Sequence, residues 1–396
     1  MKQNYTEAFK WFREAAEVGF AKAMFYLGTL YENGRGVKQS YTEAVKWFRE
    51  AAEKGHEAAQ YRLGLAYVLG RGVKESDSEA VKWFREAAEK GHEAAQYRLG
   101  LAYVLGRSVK QSDSEAVKWF REAAEKGHAE AMFNLGTLYE NGRGVKQSYT
   151  EAFKWFREAA EKGDAKSQYA LGKLYANGQG VRQSYTEAFI WYREAAKKGF
   201  VKAQYDLGLL YSTGWGVRQS YTEAFELFRD AAEKGHVGAQ DSLGLAYAMG
   251  RGVEQSYTEA FKWFRAAAEK GDANAQYNLG LLYFKGHGVK QSYTEAFKLF
   301  RDSAEKGHVG AQYNLGISYA NGWGGVKQSY TEAFKWFRKS ADQGNIDALR
   351  MIGLSYMEGL GVRQSYSKAK EYFGLACDKG DDSSCYWYAK LNKKGY

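Results

Sequence analysis

The sequence contains no proline and only two cysteines among its 396 residues. At an average proline content of about 5%, roughly 20 would be expected, so their absence has a structural cause. Two cysteines are too few for a small secreted fold held together by disulfides. Charged residues interrupt every apolar stretch before it reaches the length of about 18 residues that a transmembrane helix needs.

The first residues also lack the apolar segment of a secretory signal. We therefore expect a cytoplasmic protein by default. A secreted or periplasmic protein is the alternative if the sequence is an N-terminally truncated fragment. The first repeat described below opens directly on an apolar helix face, which favours truncation because solenoids usually begin with a polar capping unit.

Apolar and aromatic side chains, by contrast, are abundant. Hydrophobic residues make up 45% of the chain, which has 31 Tyr, 22 Phe and 11 Trp. A chain of this composition buries enough apolar surface to offset its conformational entropy, which excludes an intrinsically disordered protein. The 57 Lys and Arg exceed the 47 Asp and Glu, leaving a net charge of +10.

The dominant feature is an internal repeat. The pattern of residues 38–73 returns every 36 residues, and one extra glycine in residues 322–325 lengthens the ninth copy. The copies begin at residues 2, 38, 74, 110, 146, 182, 218, 254, 290, 327 and 363. They fill the chain, so we predict one continuous solenoid over residues 1–396 with no room for a separate catalytic domain.

Each copy predicts two helices. In the second copy, Ser40 and Glu43 form an S-x-x-E capping box, in which each side chain bonds the backbone N–H of the other residue. Apolar residues follow on one face for about four turns, and Gly55 ends this helix A. His56 is the expected N-cap of helix B, which ends at Gly70. Helix pairs must stack to bury their apolar faces, so we predict an all-α fold, an α/α solenoid (a right-handed superhelix) of eleven helix-turn-helix units.

Thirteen spaced residues recur in this pattern, A-x-x-W-F-x-x-A-A-x-x-G-x-x-x-A-x-x-x-L-G-x-x-Y-x-x-G-x-G-V. In the second copy they are Ala44, Trp47, Phe48, Ala51, Ala52, Gly55, Ala59, Leu63, Gly64, Tyr67, Gly70, Gly72 and Val73. The pattern resembles the Sel1-like repeat, a relative of the tetratricopeptide repeat. The resemblance implies an α/α solenoid whose helix A surfaces line a concave groove. It also implies a non-enzymatic scaffold or adaptor that binds partner proteins.

Cys377 and Cys385, in the last copy, resemble the cysteine pair of cysteine-rich Sel1-like proteins from Helicobacter and its relatives. In that subgroup the pair staples helix A to helix B, and some members are described as penicillin-binding or β-lactamase proteins. The alternative function is therefore a β-lactam-binding or β-lactamase-like hydrolase. Only one copy carries the pair here, and a disulfide and two free thiols both remain open.

Two further motifs suggest chemistry but have structural explanations. Ser365 and Lys368 fit the S-x-x-K motif of serine β-lactamases, yet no K-T-G or S-D-N motif accompanies them, and Ser365 occupies the helix cap position. Histidines at the turn between helix A and helix B lie too far apart to share a metal ion. They are His56, His92, His128, His236 and His308. We expect no cofactor and no metal.

The positive charge is concentrated in helix A. One position carries lysine in most copies, including Lys46, Lys82, Lys118 and Lys154. Arginines follow three residues later, including Arg49, Arg85 and Arg121. Because glutamates interleave with them, we favour a solvated, salt-bridged face. An acidic protein partner is the next interpretation, and nucleic acid is the least favoured.

Specific binding requires residues that depart from the repeat, and these concentrate in the sixth and seventh copies. Ile190 and Glu226 replace the helix A lysine, and Tyr192 replaces a phenylalanine. Trp215 and Asp241 are further local departures. We predict that this stretch contributes a protein-binding patch.

Tryptophans fall into two groups. Those of the helix A position, such as Trp47, lie at the edge of the apolar face and are expected to be core residues. Trp215 and Trp323 lie in loops, with no counterpart in other copies. We predict that they are exposed and anchor a partner protein.

Overall fold

The computed structural model describes residues 4–396, which form two compact units. The N-terminal half consists of the described residues up to Phe200, and the C-terminal half is Val201–Tyr396. In each half every helix packs on the helices before and after it, which makes each half an α/α solenoid. The single solenoid over residues 1–396 stays a prediction.

Odd-numbered helices are helix A and even-numbered helices are helix B of successive repeats. The N-terminal half contains α1 (Tyr5–Glu17), α2 (Ala21–Asn33), α3 (Tyr41–Glu53), α4 (Glu57–Leu69), α5 (Asp77–Glu89), α6 (Glu93–Leu105), α7 (Asp113–Glu125), α8 (Ala129–Asn141), α9 (Tyr149–Glu161), α10 (Ala165–Asn177) and α11 (Tyr185–Lys197). The C-terminal half contains α12 (Val201–Thr213), α13 (Tyr221–Glu233), α14 (Val237–Met249), α15 (Tyr257–Glu269), α16 (Ala273–Lys285), α17 (Tyr293–Glu305), α18 (Val309–Asn321), α19 (Tyr330–Asp342), α20 (Ile346–Glu358), α21 (Tyr366–Cys377) and α22 (Asp382–Lys393). Within residues 4–396, no helix has the length and apolar character needed to cross a membrane.

Local capping explains where these helices begin and end. Ser40 Oγ accepts a hydrogen bond from the N–H of Glu43 over 3.2 Å at the start of α3. His56 Nδ1 accepts from the N–H of Ala59 over 3.3 Å at the start of α4. Gly70 then adopts the left-handed conformation, with φ of 61°, at the end of α4. The helix boundaries predicted from the sequence are confirmed to within one residue.

The predicted capping box forms only in part. The N–H of Ser40 donates to the carbonyl oxygen of Tyr31 over 3.0 Å, in the preceding helix B. The same bond joins Ser76 to Tyr67 and Ser148 to Tyr139. Because the serine N–H is already bonded, the glutamate of the box is not its partner, and that part of the prediction is wrong. From α3 onward, the bond instead fixes the start of helix A against the repeat before it.

Aromatic rings of helix A pack into gaps left by glycines in helix B. The ring of Phe84 in α5 lies against Gly64 in the middle of α4, and Phe156 in α9 lies in the same way against Gly136 in α8. These phenylalanines are buried. The mid-helix glycine therefore permits close approach of the next repeat.

Polar contacts also tie neighbouring repeats together. Lys90, the C-cap of α5, donates from Nζ to the carbonyl oxygen of Gly55 over 2.7 Å. The same lysine–glycine contact recurs at Lys126–Gly91, Lys198–Gly163, Lys270–Gly235 and Lys306–Gly271. Since each lysine lies one repeat after its glycine, these bonds hold the ends of adjacent A helices together.

The two cysteines form a disulfide. Cys377 at the end of α21 is bonded to Cys385 in α22, with their Cα atoms 4.6 Å apart. The structure thereby decides between the disulfide and the two thiols that the sequence left open. The bond fastens the last helix to its partner.

Candidate functional site

Lysines of helix A form a row in the N-terminal half, called the lysine row, which consists of Lys46, Lys82, Lys118 and Lys154. Each is the sixth residue of its helix, and each ammonium group lies over the indole ring of the tryptophan that follows it. The distances from Nζ to the ring centroid are 5.6, 5.0, 5.0 and 5.2 Å, respectively. This geometry is a cation–π contact.

The tryptophans beneath the lysine row are core residues. Trp83, Trp119 and Trp155 are only 6–7% exposed, and Trp47 is half-buried. The predicted core role is thus confirmed in this half, except at Trp11, which is 65% exposed. A buried ring fixes the lysine stem above it while the ammonium group stays exposed to solvent.

No carboxylate within the described part of the chain forms an ion pair with any lysine of the row. In the C-terminal half the same helix position behaves differently. Lys262 pairs with Glu259 over 2.5 Å, Lys298 with Glu295 over 2.8 Å and Lys335 with Glu332 over 2.6 Å. At this lysine position the predicted ion pairs are therefore present in the C-terminal half. In the N-terminal half the ion pairs of helix A involve other residues, as in Arg13–Glu17 and Arg157–Glu161.

The arginines predicted to flank the lysines have intramolecular partners. Arg49, Arg85 and Arg121 donate to the hydroxyl groups of Tyr67, Tyr103 and Tyr139 over 2.7, 3.0 and 2.6 Å. Each tyrosine belongs to helix B of the same repeat. These guanidinium groups therefore join helix A to helix B, and they keep their positive charge because a tyrosine hydroxyl is neutral.

The residues predicted to form a central patch have unequal roles. Ile190 is 37% exposed on α11. Tyr192 is only 4% exposed and its ring packs against Gly172, so its predicted role in partner binding is wrong. Glu226 is exposed on α13 and is paired with Arg229. Tyr192 simply takes the place that a buried phenylalanine has in the other repeats.

The two loop tryptophans do have counterparts in other repeats, contrary to the prediction. They occupy the position between two loop glycines that Arg71 occupies in the second repeat. There the guanidinium group of Arg71 lies 5.5 Å from the ring centroid of Tyr41. Trp323 likewise stacks on Tyr293 with ring centroids 5.5 Å apart, is half-buried and is not an exposed anchor. Trp215 is 54% exposed and stays a candidate contact residue.

The turn histidines are helix caps, as predicted. Each Nδ1 accepts from a backbone N–H at the start of helix B, and each ring packs on an aromatic ring of the preceding repeat, as His92 does on Tyr61 at 4.6 Å. Burial lowers the pKa of His92 and of His236. Within residues 4–396, no cluster of three potential metal ligands occurs.

Ser365 and Lys368 are likewise structural. Ser365 Oγ accepts from the N–H of Lys368 over 3.3 Å at the start of α21. The Lys368 ammonium group lies 5.3 Å from the ring centroid of Tyr356. The S-x-x-K motif thus supplies a helix cap and a cation–π contact.

Asp241 is a buried acid whose environment the sequence did not reveal. It lies in α14 at the position where Tyr61, Tyr97 and Tyr205 lie in other repeats. Burial raises its pKa to about 6, and Asn278 Nδ2 donates to its carboxylate over 3.0 Å. The sequence signal was the replacement of an aromatic residue by an acid.

The Sel1 repeat family profile matches the chain eleven times in succession. The matched segments are residues 1–20, 21–56, 57–92, 93–128, 129–164, 165–200, 201–236, 237–272, 273–308, 309–345 and 346–381. Among curated proteins, no significant match was found.

Two solved structures are similar over most of the chain. One is a protective antigen present in uropathogenic Escherichia coli strains, which displays an SLR fold. It is 35% identical, and the similarity covers 98% of this chain and 90% of that chain, with a TM-score of 0.75. The other is a Sel1 repeat protein from Oxalobacter formigenes, 33% identical over 78% of this chain and 90% of its own, with a TM-score of 0.60.

Proposed function

This chain belongs to the Sel1 repeat family, and on that basis we propose that it is a scaffold whose lysine row binds an acidic segment of a partner protein. The observation that supports this is the difference between its halves. Among residues 4–396 no carboxylate pairs with Lys82, whereas Lys298 at the same helix position pairs with Glu295. A partner carboxylate can therefore pair with Lys82 without displacing an internal one.

The spacing of the lysine row favours an extended acidic segment. Its members lie one repeat apart, on the order of 10 Å from each other. Acidic side chains a few residues apart can match that spacing, and opposite charges accelerate association and fix the register of binding.

A matched pair of triple variants tests the proposal. The first carries Lys82→Gln, Lys118→Gln and Lys154→Gln, and the control carries Lys262→Gln, Lys298→Gln and Lys335→Gln. Both remove three charges from the same helix position. The probe is a fluorescein-labelled peptide of twelve glutamates, titrated with the full chain by fluorescence anisotropy at low and physiological ionic strength.

We expect the first variant to bind the peptide at least tenfold more weakly, and the control to bind within twofold of the parent. The affinity of the parent should fall as salt is added. Equal losses in the two variants would mean that net charge alone attracts the peptide. Unchanged binding by the first variant would likewise reject the lysine row as the site.

We also propose that the chain works in an oxidising compartment outside the cytoplasm. The Cys377–Cys385 disulfide supports this, because cytosolic thiols are kept reduced. The description of the Escherichia coli relative as a protective antigen supports it as well. Acid-quenched alkylation of native cell extracts, followed by mass spectrometry, measures the oxidised fraction, and largely alkylated cysteines would contradict the proposal.

A further inference from the structure

An apolar groove lies between α12, α13 and α14 in the C-terminal half. Its volume is about 220 Å³. Its walls are formed by Leu209, Phe225, Phe228, Leu245, Ala246 and Met249. Ligand pockets for drug-sized molecules usually measure about 300–1,000 Å³, so a groove of this size suits a single apolar side chain.

Two small residues keep this groove open. Ser212 in α12 and Ser242 in α14 line it. In the corresponding groove between α4, α5 and α6, Val68 and Arg98 take their places, and the volume is about 150 Å³. In a third repeat the position of Ser212 is taken by Phe284, whose ring lies 5.3 Å from that of Tyr293. The serines therefore distinguish this groove from the one between α4, α5 and α6 and from the repeat that carries Phe284.

Arg251 stands at the rim of the groove and carries a positive charge that no ion pair within residues 4–396 balances. Its guanidinium group lies 5.2 Å from the ring centroid of Tyr221. No acidic residue lines the groove, and Arg251 has no ion-pair partner among the described residues. An external anion can therefore approach it.

Another repeat shows what an arginine at this position can hold. Arg143 binds the carboxylate of Asp113 with two hydrogen bonds, of 3.0 Å from Nε and 2.8 Å from Nη2. Asp113 is the first residue of α7, and Tyr221 is the first residue of α13. Where the aspartate is replaced by tyrosine, no described residue supplies a carboxylate to Arg251, and one from another molecule can take that place.

From these observations we propose that the groove receives the C-terminal residue of a partner polypeptide. The apolar side chain of that residue fills the space beside Ser212 and Ser242, and its α-carboxylate pairs with Arg251. One residue then supplies both groups within a few ångströms of each other. This site lies on other helices than the lysine row and does not depend on the function proposed above.

Three short peptides test the chemistry of the ligand. The first is N-acetyl-Gly-Ser-Gly-Leu with a free C-terminal carboxylate, the second is its C-terminal amide, and the third ends in serine. Binding to the full chain is measured by saturation-transfer difference NMR with titration of the peptide. We expect the amide to bind at least fivefold more weakly and the serine peptide to give no measurable transfer. An amide that binds as well as the free acid would overturn the proposal.

Variants of the chain test the location of the site. Arg251→Gln removes the cation, and Ser212→Phe fills the groove with the residue that another repeat has as Phe284. Arg71→Gln is the matched control, because Arg71 lies over Tyr41 as Arg251 lies over Tyr221. We expect Arg251→Gln to bind the free-acid peptide at least fivefold more weakly than the parent. Ser212→Phe should not bind it, and the control Arg71→Gln should bind it as the parent does.

Equal weakening by the control would show that any surface arginine suffices and would reject the groove. Full binding by Ser212→Phe would also reject it. Arg251 is exposed, so its variant should fold normally, and a thermal melt of each variant checks this.

Discussion

The ring of Phe84 occupies the space that a side chain on Gly64 would need. A Cβ on Gly64 would lie 2.6 Å from Cε1 of Phe84, well inside van der Waals contact. The same relation holds between Gly172 and Tyr192. It explains why Tyr192, which departs from the repeat pattern in the sequence, is nevertheless buried in the structure.

This contact predicts that Gly64→Ala destabilises the fold, whereas helix propensity alone predicts that it stabilises the fold. Replacing glycine by alanine inside a helix normally stabilises by about 1 kcal/mol. At Gly64 the added methyl group collides with a buried ring, and overpacking of this kind costs about 1–3 kcal/mol. We expect Gly64→Ala to lower the urea midpoint, and Gly64→Ala combined with Phe84→Leu to recover part of the loss. A higher midpoint for the single variant would contradict the packing argument.

The burial of Asp241 predicts that the folded chain gains stability when the charge of this residue is removed. Its folded pKa is raised to about 6, from 3.8, so the folded state holds the proton more strongly and loses stability as the pH rises through 6. Asp241→Asn should therefore stabilise the chain by about 2–3 kcal/mol at pH 7.5 and by much less near pH 4. Denaturant midpoints at both pH values measure the difference. The exposed Asp230→Asn serves as control, and an equal gain there would refute the role of burial.

The histidine caps predict the opposite response to acid. Burial lowers the pKa of His56, His92, His236 and His308 below their ordinary 6.5. The unfolded state then binds more protons than the folded state. The stability that the neutral histidine caps contribute is therefore complete above about pH 6.5 and is lost as the pH falls through the folded pKa values.

Asparagine can replace such a cap, as Asn345 does when it accepts from the N–H of Ala348 over 2.8 Å. We expect His92→Asn with His236→Asn to lose less stability than the parent between pH 7.5 and pH 5. Denaturant midpoints at these two values provide the comparison. An identical pH dependence in parent and variant would show that the caps do not titrate in this range.

The disulfide predicts a local effect of reduction. The Cys377–Cys385 bond closes a loop with a sequence separation of 8, for which chain entropy predicts about 2–3 kcal/mol of stabilisation. Cys377→Ser with Cys385→Ser should therefore accelerate amide hydrogen exchange in α22 and leave α13 unchanged. Exchange measured by mass spectrometry checks this, and faster exchange in both helices would indicate a global loss instead.

The sequence predicted the repeat, the helices and their caps because these depend on residues only a few positions apart. Ser40 caps at Glu43 and His56 caps at Ala59, which are contacts over three residues that spacing alone reveals. The mid-helix glycine, Gly64, likewise recurs in the sequence pattern. What it packs against could not be read from the same segment.

Only the tertiary structure decided how the side chains are engaged, because their partners come from neighbouring repeats or from rotamer choices among several local partners. It buried Tyr192, stacked Trp323, bonded the Ser40 N–H to Tyr31 and joined Cys377 to Cys385. It also separated Lys82, which lies over a buried tryptophan, from Lys298, which is followed by a leucine and pairs with a glutamate. The sequence by itself determined the repeating framework through short-range capping and periodic burial. The structure decided which of its many similar side chains stay free, since that depends on the rotamer each adopts and on what its own helix and the adjoining one place beside it.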